Sequence, residues 1–173
     1  MNRQELVTVK DNFLPEKEFD EIQKKMIDPA TFAWFYNDII DDDNDVDKFQ
    51  FIHVFYINQV PVSPHIRLIN FVCEVLHPVS VWKVKANLLT RTPKIIENTF
   101  HVDMEFLPEE QQKHWTTSIF YVNTNNGYTK FEDGTKIESV ENRLVSFPSN
   151  MKHTGTSCTD EKTRVVINFN YYN

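Results

Sequence analysis

The order of residue patterns along the chain limits its possible folds more than any other feature. Two segments with apolar residues at helical spacing come first, at about residues 13–27 and 63–77. From Val79 onward, short segments rich in β-branched and aromatic residues alternate with turn signals. Helices followed by many short strands predict a mainly β, α+β fold, in which N-terminal helices pack against a β-sandwich or small barrel.

Both predicted helices have recognisable ends. Pro15 suits a first helical turn, because its missing N–H needs no partner there, and Asp28-Pro29 ends the segment. In the second segment we expect Ser63 to be the N-cap. The residues expected to form its buried stripe are Ile66, Ile69, Val72, Cys73 and Leu76.

Six segments have the composition of strands and make up the expected sheet. They cover residues 32–36, 49–57, 81–89, 115–123, 143–148 and 163–171. Turn signals lie at residues 123–127 and at Asp133-Gly134, a pair that often closes a hairpin. The chain shows no internal repeat and no linker-like stretch, so we expect one domain over residues 1–173.

Charge and composition narrow the classes of function. The formal net charge is −7, and six aspartates lie within residues 38–47. We expect this run to be a solvated loop; a chance cation site and attraction of a basic substrate are the alternatives. Because there is no basic patch and no apolar stretch of the ~20 residues that span a membrane, we expect neither nucleic-acid binding nor membrane insertion. A start without a signal-peptide pattern and only two cysteines, Cys73 and Cys158, predict a cytoplasmic protein.

One short motif has the composition of a metal site. In a strand, His101 and Asp103 would point to the same face, because side chains alternate in direction. His153 is the candidate third ligand. Two imidazoles and one carboxylate form a facial triad that leaves open positions on iron(II). A His-x-Asp pair alone often arises by chance, so a further residue is needed to indicate such a site.

That residue is Arg164, which lies 11 positions after His153. If the two flank a hairpin whose turn lies near residues 157–161, they would occupy neighbouring strands and face the same interior. A buried guanidinium needs a carboxylate partner, since an unpaired buried charge is costly. The carboxylate of a bound co-substrate would meet that need.

In this order and spacing, the His-x-Asp motif, the distal histidine and the arginine look like those of the 2-oxoglutarate/iron(II) oxygenases of prolyl-hydroxylase type. Residues 118–123 and 143–148 resemble the family's strands after the first motif and before the distal histidine, and residues 9–34 resemble its helical entry. The resemblance implies a double-stranded β-helix, also called a jelly roll, supported by N-terminal helices.

The resemblance also implies the ligands of each site residue. Iron(II) would be held by His101, Asp103 and His153, and 2-oxoglutarate would chelate it and reach Arg164 with its far carboxylate. Tyr121 matches a tyrosine that hydrogen-bonds the same carboxylate. The remaining residues expected to line the pocket are Ile119, Asn168 and Asn87. The chain departs from the family's frequent Gly-Gly pair at Asn126-Gly127 and lacks a tyrosine in residues 85–89.

The implied reaction uses molecular oxygen and 2-oxoglutarate, releases succinate and carbon dioxide, and hydroxylates a C–H bond of a peptide or small-molecule substrate. Asp103 indicates a hydroxylase, because a halogenase would have a small residue there. The alternatives are a cupin-like binding module without turnover, a zinc hydrolase, and a nucleic-acid demethylase of the same superfamily, which usually has an arginine where this chain has Asn170. Residues 104–115 are a candidate lid.

Overall fold

We analysed a computed structural model, which describes residues 6–28, 30–40 and 47–173. The helices are α1 (Glu16–Ile27), α2 (Ile66–Leu76) and α3 (Glu109–Gln112). The strands are β1 (Thr8–Lys10), β2 (Phe35–Asn37), β3 (Gln50–Ile57), β4 (Val60–Pro61), β5 (Ser80–Thr90), β6 (Trp115–Tyr121), β7 (Tyr128–Phe131), β8 (Lys136–Glu138), β9 (Arg143–Pro148), β10 (His153–Gly155) and β11 (Thr163–Tyr172).

The strands form two antiparallel sheets of unequal size. The major sheet has eight strands in the order β1-β9-β6-β11-β5-β3-β2, with β4 paired to β3. The minor sheet has three strands in the order β10-β7-β8, and β7 and β8 form the hairpin predicted at Asp133-Gly134. The predicted mainly β architecture with N-terminal helices is thus confirmed.

Helix α1 forms where the sequence predicts it. Pro15 is its N-cap. The negative charges of Glu16 and Glu18 in the first turn interact favourably with the positive end of the helix dipole. Its buried residues recur at helical spacing: Phe19, Ile22 and Met26. They pack on the outer face of the major sheet, where the Phe19 and Phe120 ring centroids are 6.1 Å apart.

Helix α2 begins later than predicted. Its N-cap is His65, so the assignment of Ser63 as N-cap was wrong. The Ser63 hydroxyl instead accepts the His65 N–H at 3.0 Å and lies 2.7 Å from His53 Nε2. Of the expected stripe, Ile69 and Val72 are buried, whereas Ile66, Cys73 and Leu76 are only partly buried, and Leu68 is a buried residue that we did not predict.

The alternation of side chains along β11 separates two clusters of residues. Val165, Ile167, Phe169 and Tyr171 belong to the larger apolar core, which lies between the major sheet and the helices. The alternate residues face the minor sheet. A smaller apolar core lies between the two sheets and consists of Ile119, Tyr121, Phe131, Val145, Phe147 and Val166.

The predicted hairpin between His153 and Arg164 does not form. Strand β10 pairs with β7 in the minor sheet, and β11 pairs with β5 and β6 in the major sheet. The connecting residues cross between the sheets and bond to other segments: Ser157 N–H donates to Ile96 O, and Cys158 O accepts the Thr92 N–H. His153 and Arg164 nevertheless line the same cavity.

Two expectations concern residues that lie mostly or wholly outside the described part of the chain. Most of the aspartate run, residues 41–46, lies outside the described residues, as do residues 1–5 at the N-terminus. Among the described residues, no helix has the length and apolar character needed to cross a membrane.

Candidate metal centre

His101 and Asp103 do not lie on a strand, so that part of the prediction was wrong. His101 forms a single antiparallel bridge with His153, in which each backbone N–H donates to the other residue's carbonyl at 3.0 Å. A turn begins at Asp103. The bridge places the first histidine beside the distal one, and the turn brings the carboxylate back toward both rings.

The three side chains come close enough to share one ion. One ligand atom from each lies within 4.8 Å of the other two. His101 Nε2 is 3.5 Å from Asp103 Oδ1, and His153 Nε2 is 4.0 Å from Asp103 Oδ2. Two imidazoles and one carboxylate, gathered in this way, are the donor set of a facial triad.

Backbone carbonyls orient both imidazole rings. His153 Nδ1 lies 3.1 Å from Met151 O, and His101 Nδ1 lies 3.3 Å from Thr99 O. Because a carbonyl only accepts, each Nδ1 carries a proton, and Nε2 is the nitrogen of each ring that is left to bind a metal. Such contacts fix the tautomer of a metal-binding histidine.

The protonation states also suit a metal. Burial alone would raise the pKa of Asp103, but its interactions with His101 and His153 and the hydrogen bond from Asn170 together hold that pKa well below its usual range. Burial lowers the pKa of His153, and the opposing effect of Asp103 does not restore it. The centre therefore contains a carboxylate and a neutral distal imidazole, the forms that bind metal.

Asn170 is a site residue that sequence reasoning missed in this role. Its Nδ2 donates to Asp103 Oδ2 at 2.9 Å and to Thr117 Oγ1 at 3.1 Å. Thr117 in turn lies 3.0 Å from the Ser149 hydroxyl, and all three polar residues are buried. Counting by twos along β11 from Arg164 reaches Asn170, so period-two alternation was the signal that could have found it.

Arg164 is buried without a carboxylate. It is 2% exposed, Nε donates to Ser139 Oγ at 2.8 Å, and Nη2 donates to Thr129 Oγ1 at 3.3 Å. No ion pair joins it to any acidic residue in the described part of the chain. Burial lowers the pKa of the guanidinium, against the opposing effects of Tyr121 and Cys158.

Two glycines leave the space that Arg164 occupies. A Cβ on Gly127 would lie 2.6 Å from Arg164 Cδ and 2.8 Å from Ser157 O, closer than real Cβ contacts. A Cβ on Gly155 would lie 3.4 Å from Arg164 Nη1. The chain therefore keeps a glycine at the second position of the family's Gly-Gly pair, where backbone and side chain approach most closely.

The structure places Tyr121 next to Arg164 but away from the cavity. Its side chain is fully buried, its ring centroid is 5.7 Å from Arg164 Cζ, and its hydroxyl donates to Thr129 Oγ1 at 2.8 Å. The hydroxyl's partner in this structure is Thr129, and the expected direct contact with a co-substrate carboxylate stays a prediction.

One cavity contains the triad, Arg164 and the other predicted pocket residues. It encloses about 520 Å³ of empty space, including its open mouth. Its lining includes Ile119, Asn87 and Asn168 as predicted, and also Lys85, Thr129 and Val166. The side-chain oxygens of Asn87 and Asn168 are buried and have no hydrogen-bond partner.

Residues 104–115, the candidate lid, do not line this cavity. Phe106 instead stacks on Trp82, with ring centroids 4.9 Å apart, and Gln112 Nε2 donates to Leu107 O at 2.7 Å. The segment contacts β5 through Phe106 and Trp82, and its role as a lid stays a prediction.

The chain is similar to known proteins in structure but not in sequence. No protein-family model and no curated protein matches this sequence. Among solved structures, the chain is similar to a prolyl hydroxylase from Trichoplax adhaerens in complex with a hypoxia-inducible-factor oxygen degradation domain peptide fragment. The TM-score is 0.65 and the identity 12%, over 96% of this chain and 83% of that chain.

Two further neighbours have the same architecture. A Pseudomonas putida prolyl-4-hydroxylase gives a TM-score of 0.58 at 12% identity, over 97% of this chain and 93% of that chain. The non-heme alpha-ketoglutarate-dependent carbocyclase SnoK from nogalamycin biosynthesis gives 0.68 at 11% identity, over 97% and 79%. The resemblance predicted from the sequence is thus confirmed at the level of structure: the chain has the double-stranded β-helix fold of the 2-oxoglutarate/iron(II) oxygenases.

Proposed function

We propose that the chain is an iron(II)- and 2-oxoglutarate-dependent dioxygenase that hydroxylates a C–H bond of a peptide or small-molecule substrate. The observation that carries the proposal is Arg164. It is a buried guanidinium without a carboxylate partner among the described residues, and it lines the same cavity as the triad. A co-substrate with a carboxylate at one end and metal-binding oxygens at the other satisfies both groups.

The donor set fits iron(II). His101, Asp103 and His153 would hold the ion through two nitrogens and one oxygen and leave further positions open toward the cavity. When bound, iron(II) and 2-oxoglutarate would supply an oxidant from molecular oxygen, with release of succinate and carbon dioxide. The protein fixes the geometry and excludes water.

Several residues of the cavity have a task in this proposal. Arg164 would bind the far carboxylate, held in place by Ser139 and Thr129. The apolar side chains of Ile119 and Val166 line the same cavity as Arg164 and the triad, which limits the access of water to the reacting atoms.

The chemical class of the substrate is also part of this proposal. The unpartnered oxygens of Asn87 and Asn168 need N–H or O–H donors from a ligand or from water, because leaving a buried acceptor unpaired is costly. This need supports a polar substrate group. The Trichoplax neighbour carries a peptide, which supports a peptide as one candidate. Two free thiols, Cys73 and Cys158, support a reducing, cytoplasmic location.

The alternatives explain less of the cavity. A zinc hydrolase would use the triad but would leave Arg164 without a ligand. A demethylase would place an arginine where Asn170 donates to Asp103, and the net charge of −7 disfavours a nucleic acid. A binding module without turnover would predict a damaged triad, whereas His101, Asp103 and His153 are all present and lie together.

An anaerobic titration with iron(II) and 2-oxoglutarate tests the proposal. We expect a visible metal-to-ligand charge-transfer band, and slow formation of succinate once oxygen is admitted, with both absent in His101→Ala. His114→Ala is the matched control, because His114 lies outside the cavity and should leave both signals unchanged. A folded protein without the band would refute the proposal, and a band without succinate would favour the binding module.

A further inference from the structure

Thr129 is a polar residue of the cavity that so far has only the role of holding Arg164 in place. It lies on β7 of the minor sheet, is 1% exposed and lines the cavity. Its hydroxyl oxygen is 2.8 Å from the Tyr121 hydroxyl and 3.3 Å from Arg164 Nη2. It therefore joins the two residues that sequence analysis assigned to the co-substrate carboxylate.

The direction of both hydrogen bonds follows from the chemistry of the donors. A guanidinium only donates, so Arg164 uses one lone pair of the Thr129 oxygen. The Tyr121 hydroxyl has no other acceptor among the described residues, so it donates to the second lone pair. Burial raises the pKa of Tyr121, which keeps that proton in place.

The Thr129 proton is then left to donate elsewhere. A hydroxyl has one proton and two lone pairs, and both lone pairs are occupied. No described residue accepts a hydrogen bond from this hydroxyl. The Thr129 hydroxyl is therefore left to donate into the cavity, which Arg164 also lines.

We propose that Thr129 donates its hydroxyl to the far carboxylate of the co-substrate beside Arg164, and that Tyr121 acts through Thr129 as a positioning residue. This inference rests on the proposed function: it gives Thr129 the direct hydrogen bond to the carboxylate and Tyr121 an indirect role. Ser139 holds the opposite edge of the guanidinium through Nε, so Arg164 and Thr129 present their donors in a fixed relation.

The experiment compares two ligands that differ at one end. 2-Oxoglutarate and 2-oxovalerate share the 2-oxo acid head and the five-carbon chain, but only the first has the far carboxylate. Their dissociation constants are measured anaerobically with iron(II), from the charge-transfer band, for the wild type, Thr129→Val and Thr129→Ser. Valine keeps the shape and strand preference of threonine but removes the hydroxyl.

We expect Thr129→Val to weaken 2-oxoglutarate binding by roughly ten-fold, the size of effect of a lost hydrogen bond to a charged group. Binding of 2-oxovalerate should change by less than about two-fold, since it makes no contact there. Thr129→Ser, which keeps the hydroxyl, should bind both ligands like the wild type. Thr129→Ala replaces the valine variant if the latter does not fold.

The relay through Tyr121 is tested by combining variants. Tyr121→Phe alone should weaken 2-oxoglutarate binding, and in the Thr129→Val background it should cause no further loss, because coupled residues are not additive. An equal loss in both backgrounds would show that Tyr121 contacts the carboxylate directly and would overturn the relay.

The two levels of the proposal fail differently. If the wild type binds 2-oxoglutarate but Thr129→Val binds it equally well, the role of Thr129 is refuted and the proposed function stands. If the folded wild type gives no band with either 2-oxo acid, the proposed function itself is refuted, and this inference with it.

Discussion

The two faces of the major sheet come from the same strands but have opposite chemistry. On the outer face, β6 and β11 present apolar side chains that are almost fully buried, such as Phe120 and Phe169. On the inner face, the alternate residues of β11 include Arg164, Asn168 and Asn170. One face is covered by helices and the other faces the candidate site.

This difference separates stability from function within single strands. Burial of apolar area on the outer face stabilises the folded state. This contribution depends on packing and not on direction. The inner face buries polar groups, which cost free energy unless they find partners. Asn170 has protein partners, whereas Arg164 and Asn168 lack a full set, so these residues point to a ligand.

The largest effect on stability is expected from the outer face. Phe120→Ala should lower the free energy of unfolding by about 3–5 kcal/mol, since it removes a fully buried ring that packs near Phe13 and Phe19. Denaturant unfolding followed by circular dichroism measures this loss. Phe35→Ala is the control, because Phe35 is 60% exposed and should change stability little. Equal losses of unfolding free energy in the two variants would contradict the assignment of stability to the outer face.

On the inner face, the largest effect should fall on ligand binding. Arg164→Met should weaken 2-oxoglutarate binding by roughly 2–5 kcal/mol, because the far carboxylate loses its charged partner. Its unfolding free energy should stay unchanged or rise, since burying an unpaired charge is unfavourable. Anaerobic titration and denaturant unfolding of the same sample measure both. A clear loss of stability with intact binding would contradict the assignment of this face to function.

A smaller effect is expected at Asn170. Asn170→Ala removes the donor to Asp103 Oδ2 and should weaken iron(II) binding by roughly ten-fold, as loss of a residue that orients a metal ligand does. Competition with a fluorescent iron(II) chelator measures the affinity. Asn168→Ala is the matched control on the same face of β11, because no hydrogen bond joins Asn168 to the triad in the described structure. Equal affinities in the two variants would remove Asn170 from the centre.

The smallest effect concerns pH and a residue on the helix side. Burial lowers the pKa of His53, despite its hydrogen bond with Ala33 O, so the folded state resists protonation. The unfolded chain takes up the proton near the ordinary pKa of 6.5, so stability is full above pH 6.5 and falls as the pH drops below it toward the folded pKa. Between pH 5 and 8, the unfolding free energy of His53→Gln should therefore change less with pH than that of the wild type. The same pH dependence of the unfolding free energy in wild type and variant would exclude this contribution of His53.

Local patterns predicted much of the fold. Helix α1 and strands β3, β5, β6, β9 and β11 form where apolar spacing and composition indicated them. The side chains of Arg164 and Asn168 share a face because alternation along a strand depends only on backbone geometry. The start of α2 was misplaced by a few residues, because Ser63 bonds to His53 and His65 instead of capping a helix.

The site was predicted less completely than the fold. His101, Asp103, His153 and Arg164 converge on one cavity, but His101 and Asp103 do so from a turn and a single bridge, not from a strand. Neither Thr129 nor Asn170 was given a role from the sequence, because a threonine or asparagine in a strand has no distinctive motif.

The sequence by itself determined which segments become helices and strands and which side chains are able to bind a metal and a carboxylate. Those properties depend on residue type and on neighbours along the backbone. Only the tertiary structure decided that β10 and β11 lie in opposite sheets, that Asn170 meets Asp103 across 67 positions, and that Thr129 meets Arg164 across 35. Contacts between residues so far apart depend on sheet order and register, which local spacing does not encode.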